Sequence, residues 1–153
     1  GEVNSLTVSS YIQGMKYMTR KNRFLRHLPA MPLITLAIFP IALMDLYVEL
    51  YHRISFPLYR IPLINRRSYI KIDRHRLPYL TILQKYYCVY CGYANGVVRY
   101  WVKIFSETER FWCGIRHEEK EGFREQEHQE DFLPYGDEEG FKRTYLDHKT
   151  RPL

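Results

Sequence analysis

At 153 residues, with 46% hydrophobic and 16% aromatic side chains and a net charge of +6, the chain has the length for one domain with a modest core plus attachments. The charge is split, with 17 bases and 6 acids in residues 1–116 but 6 bases and 11 acids in residues 117–153; a basic body with an acidic tail fits a partner of negative potential, either lipid or nucleic acid. Three cysteines, an odd number, exclude a purely disulfide framework and fit a reducing compartment.

Residues 1–27 form a polar, then basic, N-terminal arm that ends in Lys16, Arg20, Lys21, Arg23 and Arg26. From Leu28 to Met44, 17 residues pass without a charge, interrupted by Pro29, Pro32 and Pro40. That length is the lower edge of what crosses a bilayer, and bases flank it on both sides, with Arg53, Arg60, Arg66 and Arg67 following. Both ends are therefore expected in the cytoplasm. Residues 28–56 are expected to lie in the membrane as a monotopic or re-entrant helical segment, broken at Pro40. Within it, Ile41 to His52 reads as an amphipathic helix. Leu43, Leu46, Tyr47 and Leu50 make one side, while Asp45, Glu49 and His52 recur at i, i+4 and i+7. Glu49-x-x-His52 matches half of a di-iron carboxylate motif, but the second half is missing. A solvated polar stripe is the expectation.

Phe56 to Pro62 reads as a proline-punctuated connector, and Tyr69 to Asp73 as a short extended piece. A helix is predicted from Arg74 to about Tyr86, with Pro78 in its first turn. Cys88-Val89-Tyr90-Cys91 is expected in a tyrosine-dense turn, which Asn95 and Gly96 close by capping a new helix. Val97, Trp101, Ile104, Phe105, Thr108 and Trp112 share one face of that helix, as core would. Beyond it, residues 121–153 read as an acidic tail, too poor in apolar anchors to order itself without a partner.

The most specific signal combines Cys88 and Cys91 with Cys113 and His117. The spacing is C-x2-C, 21 intervening residues, then C-x3-H. Three thiolates and an imidazole form one tetrahedral ligand set, and each close pair can chelate from a single turn of backbone. Zinc is the expected metal; iron or an iron–sulfur cluster in the same set is the alternative. A redox dithiol and inert buried cysteines stay open as readings. A shared site requires the chain to double back, because a straight helix from Asn95 to Trp112 would hold Cys91 and Cys113 about 24 Å or more apart. The predicted fold is mainly α. It comprises membrane-embedded and amphipathic helices, a metal-stapled helical domain over residues 57–120, and the acidic tail.

Tyr87 to Gly96 (YCVYCGYANG) and Phe111 to His117 (FWCGIRH) resemble a family of small bacterial membrane-associated proteins with a C-x-Y-C-x-Y-A-N-G block and a later Y-W-C-P-I-K-H block. The resemblance extends upstream through Phe56 to Tyr59 and Ile72 to His75, covering roughly residues 40–117. Phe111, Gly114 and Arg116 depart from the family pattern, while the four candidate ligands match it. The resemblance implies membrane association and brings no activity with it.

The functional expectation is a non-catalytic, membrane-associated accessory or assembly subunit of an integral membrane protein complex, on the cytoplasmic face and in contact with membrane lipid. A closed four-ligand site leaves no open position for hydrolysis. Electron transfer is the alternative. A thiol–disulfide oxidoreductase lacks its βαβ frame, and nucleic-acid binding does not account for the apolar run.

Overall fold

The computed structural model describes residues 23–146. The chain divides into two units, Gly1–Met44 and Asp45–Leu153. Its helices are α1 (Arg23–Leu36), α2 (Ile38–Leu58), α3 (Ile82–Trp112) and the short α4 (Glu138–Phe141), with 3-10 turns between them and no strand among the described residues. The mainly α expectation holds.

Pro40 does not break the helical path. It lies in the first turn of α2, where proline's fixed φ fits the helix. The i→i−4 pattern runs through the junction, with Ala37 N–H on Leu33 O at 3.1 Å and Ile41 N–H on Ala37 O at 3.3 Å. Leu28–Leu58 is thus a helical run of 31 residues, long and apolar enough to cross a membrane, at about 46 Å of rise. The helix stops in a Schellman arrangement. Ile61 N–H reaches Phe56 O (2.8 Å) and Arg60 N–H reaches Pro57 O (3.1 Å), while Arg60 takes the left-handed φ of 58° usually given to glycine. Ile61 then packs against the core cluster to which Phe56 belongs.

In the second unit, α3 begins later than expected. Arg74–Arg76 is only a 3-10 turn, and a capping box formed by Thr81 and Gln84 starts the helix. From there α3 runs unbroken past Cys88, Cys91, Asn95 and Gly96, so the predicted tyrosine-rich turn and its cap do not exist. The physical reason lies in the glycines. A Cβ on Gly92 would sit 2.9 Å from Lys71 O, and one on Gly96 would sit 2.9 Å from Ile70 Cα. The backbone of residues 69–72 crosses the helix there, so Gly92 and Gly96 serve close approach and not a turn. Asn95 turns its amide back onto Cys91 O at 2.9 Å.

The core joins Val48 and Phe56 of α2 to Tyr100 and Ile104 of α3, with Tyr51, Ile61, Ile64, Tyr69 and Trp101 against it. Of the face predicted as core, Val97 and Ile104 are buried, whereas Phe105 and Trp112 are exposed.

The acidic segment is tied down by its own chain. Ile115 and Leu133 form a parallel bridge, with Arg116 N–H on Leu133 O (2.8 Å) and Leu133 N–H on Gly114 O (2.7 Å). Gln129, fully buried, donates to Glu109 of α3 at 2.7 Å, and His128 contacts the other oxygen of that carboxylate at 2.6 Å. Counting aromatic anchors overlooked these polar ones.

Burial raises the Glu109 pKa, but the His128 and Gln129 contacts outweigh it and hold this carboxyl below its usual value of 4.5. A depressed carboxylate stabilises the fold above its unfolded pKa, and that contribution disappears as pH falls through the folded value. Amide-exchange protection of residues 114–133 should therefore persist at pH 7 and fall away below about pH 4.5. Glu109→Ala should remove about 1–2 kcal/mol of that protection at neutral pH. Unchanged exchange in this variant would refute Glu109 as the anchor.

Candidate functional site

The sequence-predicted ligands are not brought together within one chain. Cys88 and Cys91 lie one turn apart on α3, half-buried, and Cys113 is its exposed C-cap. Twenty-two residues of unbroken helix put Cys91 and Cys113 roughly 33 Å apart. His117 is exposed and packs edge-on against Phe123, with ring centroids 5.4 Å apart. Among the described residues, no group of three or more His, Cys, Asp or Glu side chains could hold a metal ion. The four candidates therefore do not fit one tetrahedral zinc or iron site here. The doubling back that such a site requires is absent because α3 does not end at Thr108 or begin at Gly96.

What the fold does assemble is a polar cluster on the inner side of α2. Asp45 is 6% and His52 2% exposed, whereas Leu46 is 69% and Leu50 56% exposed. The stripe expected in solvent is buried, and the apolar side faces outward. α3 supplies the partners at matching spacing, with Tyr93, Tyr100 and Trp101 standing opposite Asp45, Glu49 and His52.

Asp45 is saturated with donors. Arg66 grips it with two bonds of 2.7 and 2.6 Å; Tyr93 donates at 2.8 Å and the Trp101 indole at 3.4 Å. These bonds from Arg66 to Asp45 raise the guanidinium pKa further, so the charge is permanent. Burial, then the Asp45 carboxylate, pushes the Tyr93 phenol up. The Arg66 guanidinium also stacks 5.4 Å from the centroid of the Tyr100 ring.

A second chain of bonds starts at the connector. Ile64 N–H donates to His52 Nε2 at 3.0 Å, so the imidazole proton belongs on Nδ1. Nδ1–H then donates to the Tyr100 oxygen at 2.9 Å, whose hydroxyl donates to Glu49 Oε2 at 3.0 Å. Burial and the Glu49 carboxylate both push the Tyr100 phenol up. Arg53 closes the array with a 2.6 Å bond to Glu49 Oε1. Every proton has one defined place, and the two carboxylates are occupied by donors.

A cleft of about 270 Å³ opens over this array. Tyr100 and His52 line it together with Glu49, and Arg53, Arg66, Arg67 and Leu63 also border it. The sequence carried one signal for the cluster, a seven-residue spacing between Asp45 and His52 repeated between Tyr93 and Tyr100. Comparison with family models, curated proteins and solved structures finds no match to the chain.

Proposed function

We propose that the protein is a non-catalytic, membrane-associated accessory or assembly subunit, held at the membrane by the exposed apolar face of residues 28–58 with the rest of the body on the cytoplasmic side. The observation that carries this reading is the reversed polarity of α2. Leu46, Tyr47, Leu50, Ile54 and Leu58 are all exposed while Asp45 and His52 are buried. Burying a large apolar side chain is worth about 1.5–3 kcal/mol, so these five, 53–74% exposed, forgo roughly 5–9 kcal/mol. That is comparable to the whole stability of a typical domain, about 5–15 kcal/mol. Hydrocarbon against these side chains removes the penalty, and an inward polar face satisfied by its own partners is what a lipid environment demands.

The accessory role draws on the same cluster. Its carboxylates are engaged by Arg53, Arg66, Tyr93 and Tyr100, an arrangement suited to fixing two helices against each other. Phe105, Trp112 and Val102 on α3 are exposed and supply apolar contact area for an integral membrane partner. Bases flanking the apolar run favour the cytoplasmic side. Full-length protein should float with phosphatidylcholine vesicles and resist high-salt and carbonate extraction, with reporters fused at Gly1 and Leu153 both reading cytoplasm. Leu46→Lys/Leu50→Lys should weaken retention, at about 2–3 kcal/mol per lysine placed in hydrocarbon. Quantitative release of the wild-type protein by carbonate would overturn the membrane reading, and a tail reporting from outside would overturn the orientation.

A further inference from the structure

We propose that the cleft over the His52–Tyr100–Glu49 array is a headgroup site for an anionic phospholipid, an inference that rests on the membrane reading above. Three guanidinium groups, Arg53, Arg66 and Arg67, line the cleft together with one carboxylate, Glu49. Arg66 is spent on Asp45 and Glu49. Among the described residues Arg53 uses only its Nε, on Glu49. The Arg67 guanidinium is exposed and makes no hydrogen bond or ion pair among the described residues. With Asp45 and Glu49 set against three arginines, the cluster keeps one uncompensated positive charge. Phosphate matches the donor geometry of two free guanidinium forks.

The field beyond the cleft has the same sign. Residues 59–76 hold six bases and one acid, Asp73, directly after the apolar helix, where a polybasic segment meets the anionic surface of a bilayer. The rim is apolar as well. Leu63 lines the cleft, and it and Leu50, one turn before Arg53 on α2, are exposed. A ligand that satisfies both is an amphiphile, with its phosphodiester at Arg53 and Arg67 and its acyl chains along Leu50 and Leu63. A zwitterionic headgroup brings its own cation to a site already positive, so selection favours the anionic lipid.

The test uses the full chain in neutral detergent, with lipid retention read by native mass spectrometry. Phosphatidylglycerol should be retained about tenfold more tightly than phosphatidylcholine. The preference should vanish in Arg53→Gln/Arg67→Gln and survive in Arg74→Gln/Arg76→Gln, which removes equal charge outside the cleft. Arg67→Gln alone breaks no hydrogen bond or ion pair among the described residues, so a reduced preference there would separate ligand loss from misfolding. Equal retention of the two lipids by the wild type would overturn the site, as would equal damage from the Arg74/Arg76 pair. Displacement of phosphatidylglycerol by inorganic phosphate or glycerol 3-phosphate at equal concentration would show a free-anion site instead. Protein that still floats with phosphatidylcholine vesicles while failing these tests would leave the membrane reading standing.

Discussion

Asp45→Ala should lower stability by about 3 kcal/mol, because it removes one partner of a buried pair and leaves the others without an acceptor. Arg66, Tyr93 and Trp101 all donate to that carboxylate. The estimate takes the low end of the usual range because the Arg66 side chain is 31% exposed and can recover some hydration. For a chain of this size the loss corresponds to a drop in Tm of about 6–12 °C, readable by thermal melting in detergent. Asp45→Asn should lose nearly as much, since an amide turns one acceptor into a donor facing other donors. Arg66→Ala combined with Asp45→Ala should cost less than the two single changes together, the signature of direct coupling. If Asp45→Ala melts within a degree of wild type, the cluster does not hold the two helices together.

The second large effect concerns sign. Gly96→Ala and Gly92→Ala each gain about 1 kcal/mol of helix propensity, and in an isolated helix both would stabilise. In the fold, the new methyl at position 96 would meet Ile70 Cα at 2.9 Å, Ile70 Cγ1 at 3.1 Å and Tyr69 O at 3.1 Å. Two of those atoms are backbone and cannot rotate away. Overpacking of this kind costs roughly 1–3 kcal/mol, and the displaced segment runs on from Arg66, so the clash transmits strain to Asp45. Gly96→Ala should therefore destabilise by up to about 2 kcal/mol net, and the double variant by more. Gly122→Ala, where no heavy atom lies within 4 Å of the added methyl but φ is +83°, gives a purely local comparison. A rise in Tm for Gly96→Ala would mean that residues 69–72 are not held against the helix.

These two sites also mark where sequence reasoning succeeded and failed. Periodicity located α2 and its two faces, because spacings of three and four are intrinsic to a helix, but it could not say which face looks inward. That assignment assumes apolar side chains turn inward, and Leu46 and Leu50, which are exposed, do not. Gly96 after Asn95 carries the same letters as a helix cap, and only the crossing backbone at Ile70 distinguishes the two cases. Thr81 and Gln84 spelled the true start of α3, yet the basic triplet at Arg74 drew the prediction forward. For Cys88, Cys91, Cys113 and His117, spacing along the chain encoded a ligand set whose closure depended on a bend, and the helix between Cys91 and Cys113 does not bend. Of the inner cluster, Asp45, Glu49 and His52 were legible as a stripe. Arg66 was not, since a contact across 21 residues leaves no local pattern, and Tyr100, 51 residues from Glu49, was marked only by the spacing it shares with Tyr93.

Those long separations bear on the order in which the molecule can be made. A ribosome delivers Asp45 first, then Arg66 21 residues later, Tyr93 48 residues later and Trp101 56 residues later. At about 5–20 residues per second, a few seconds pass between the emergence of the carboxylate and that of its last donor. Until Arg66 emerges α2 is an apolar helix bearing an unpartnered acid, and until α3 follows that acid has only part of its donor set. On the membrane reading proposed above, the helix would wait at the surface until Arg66 and then α3 emerge to take up its charge.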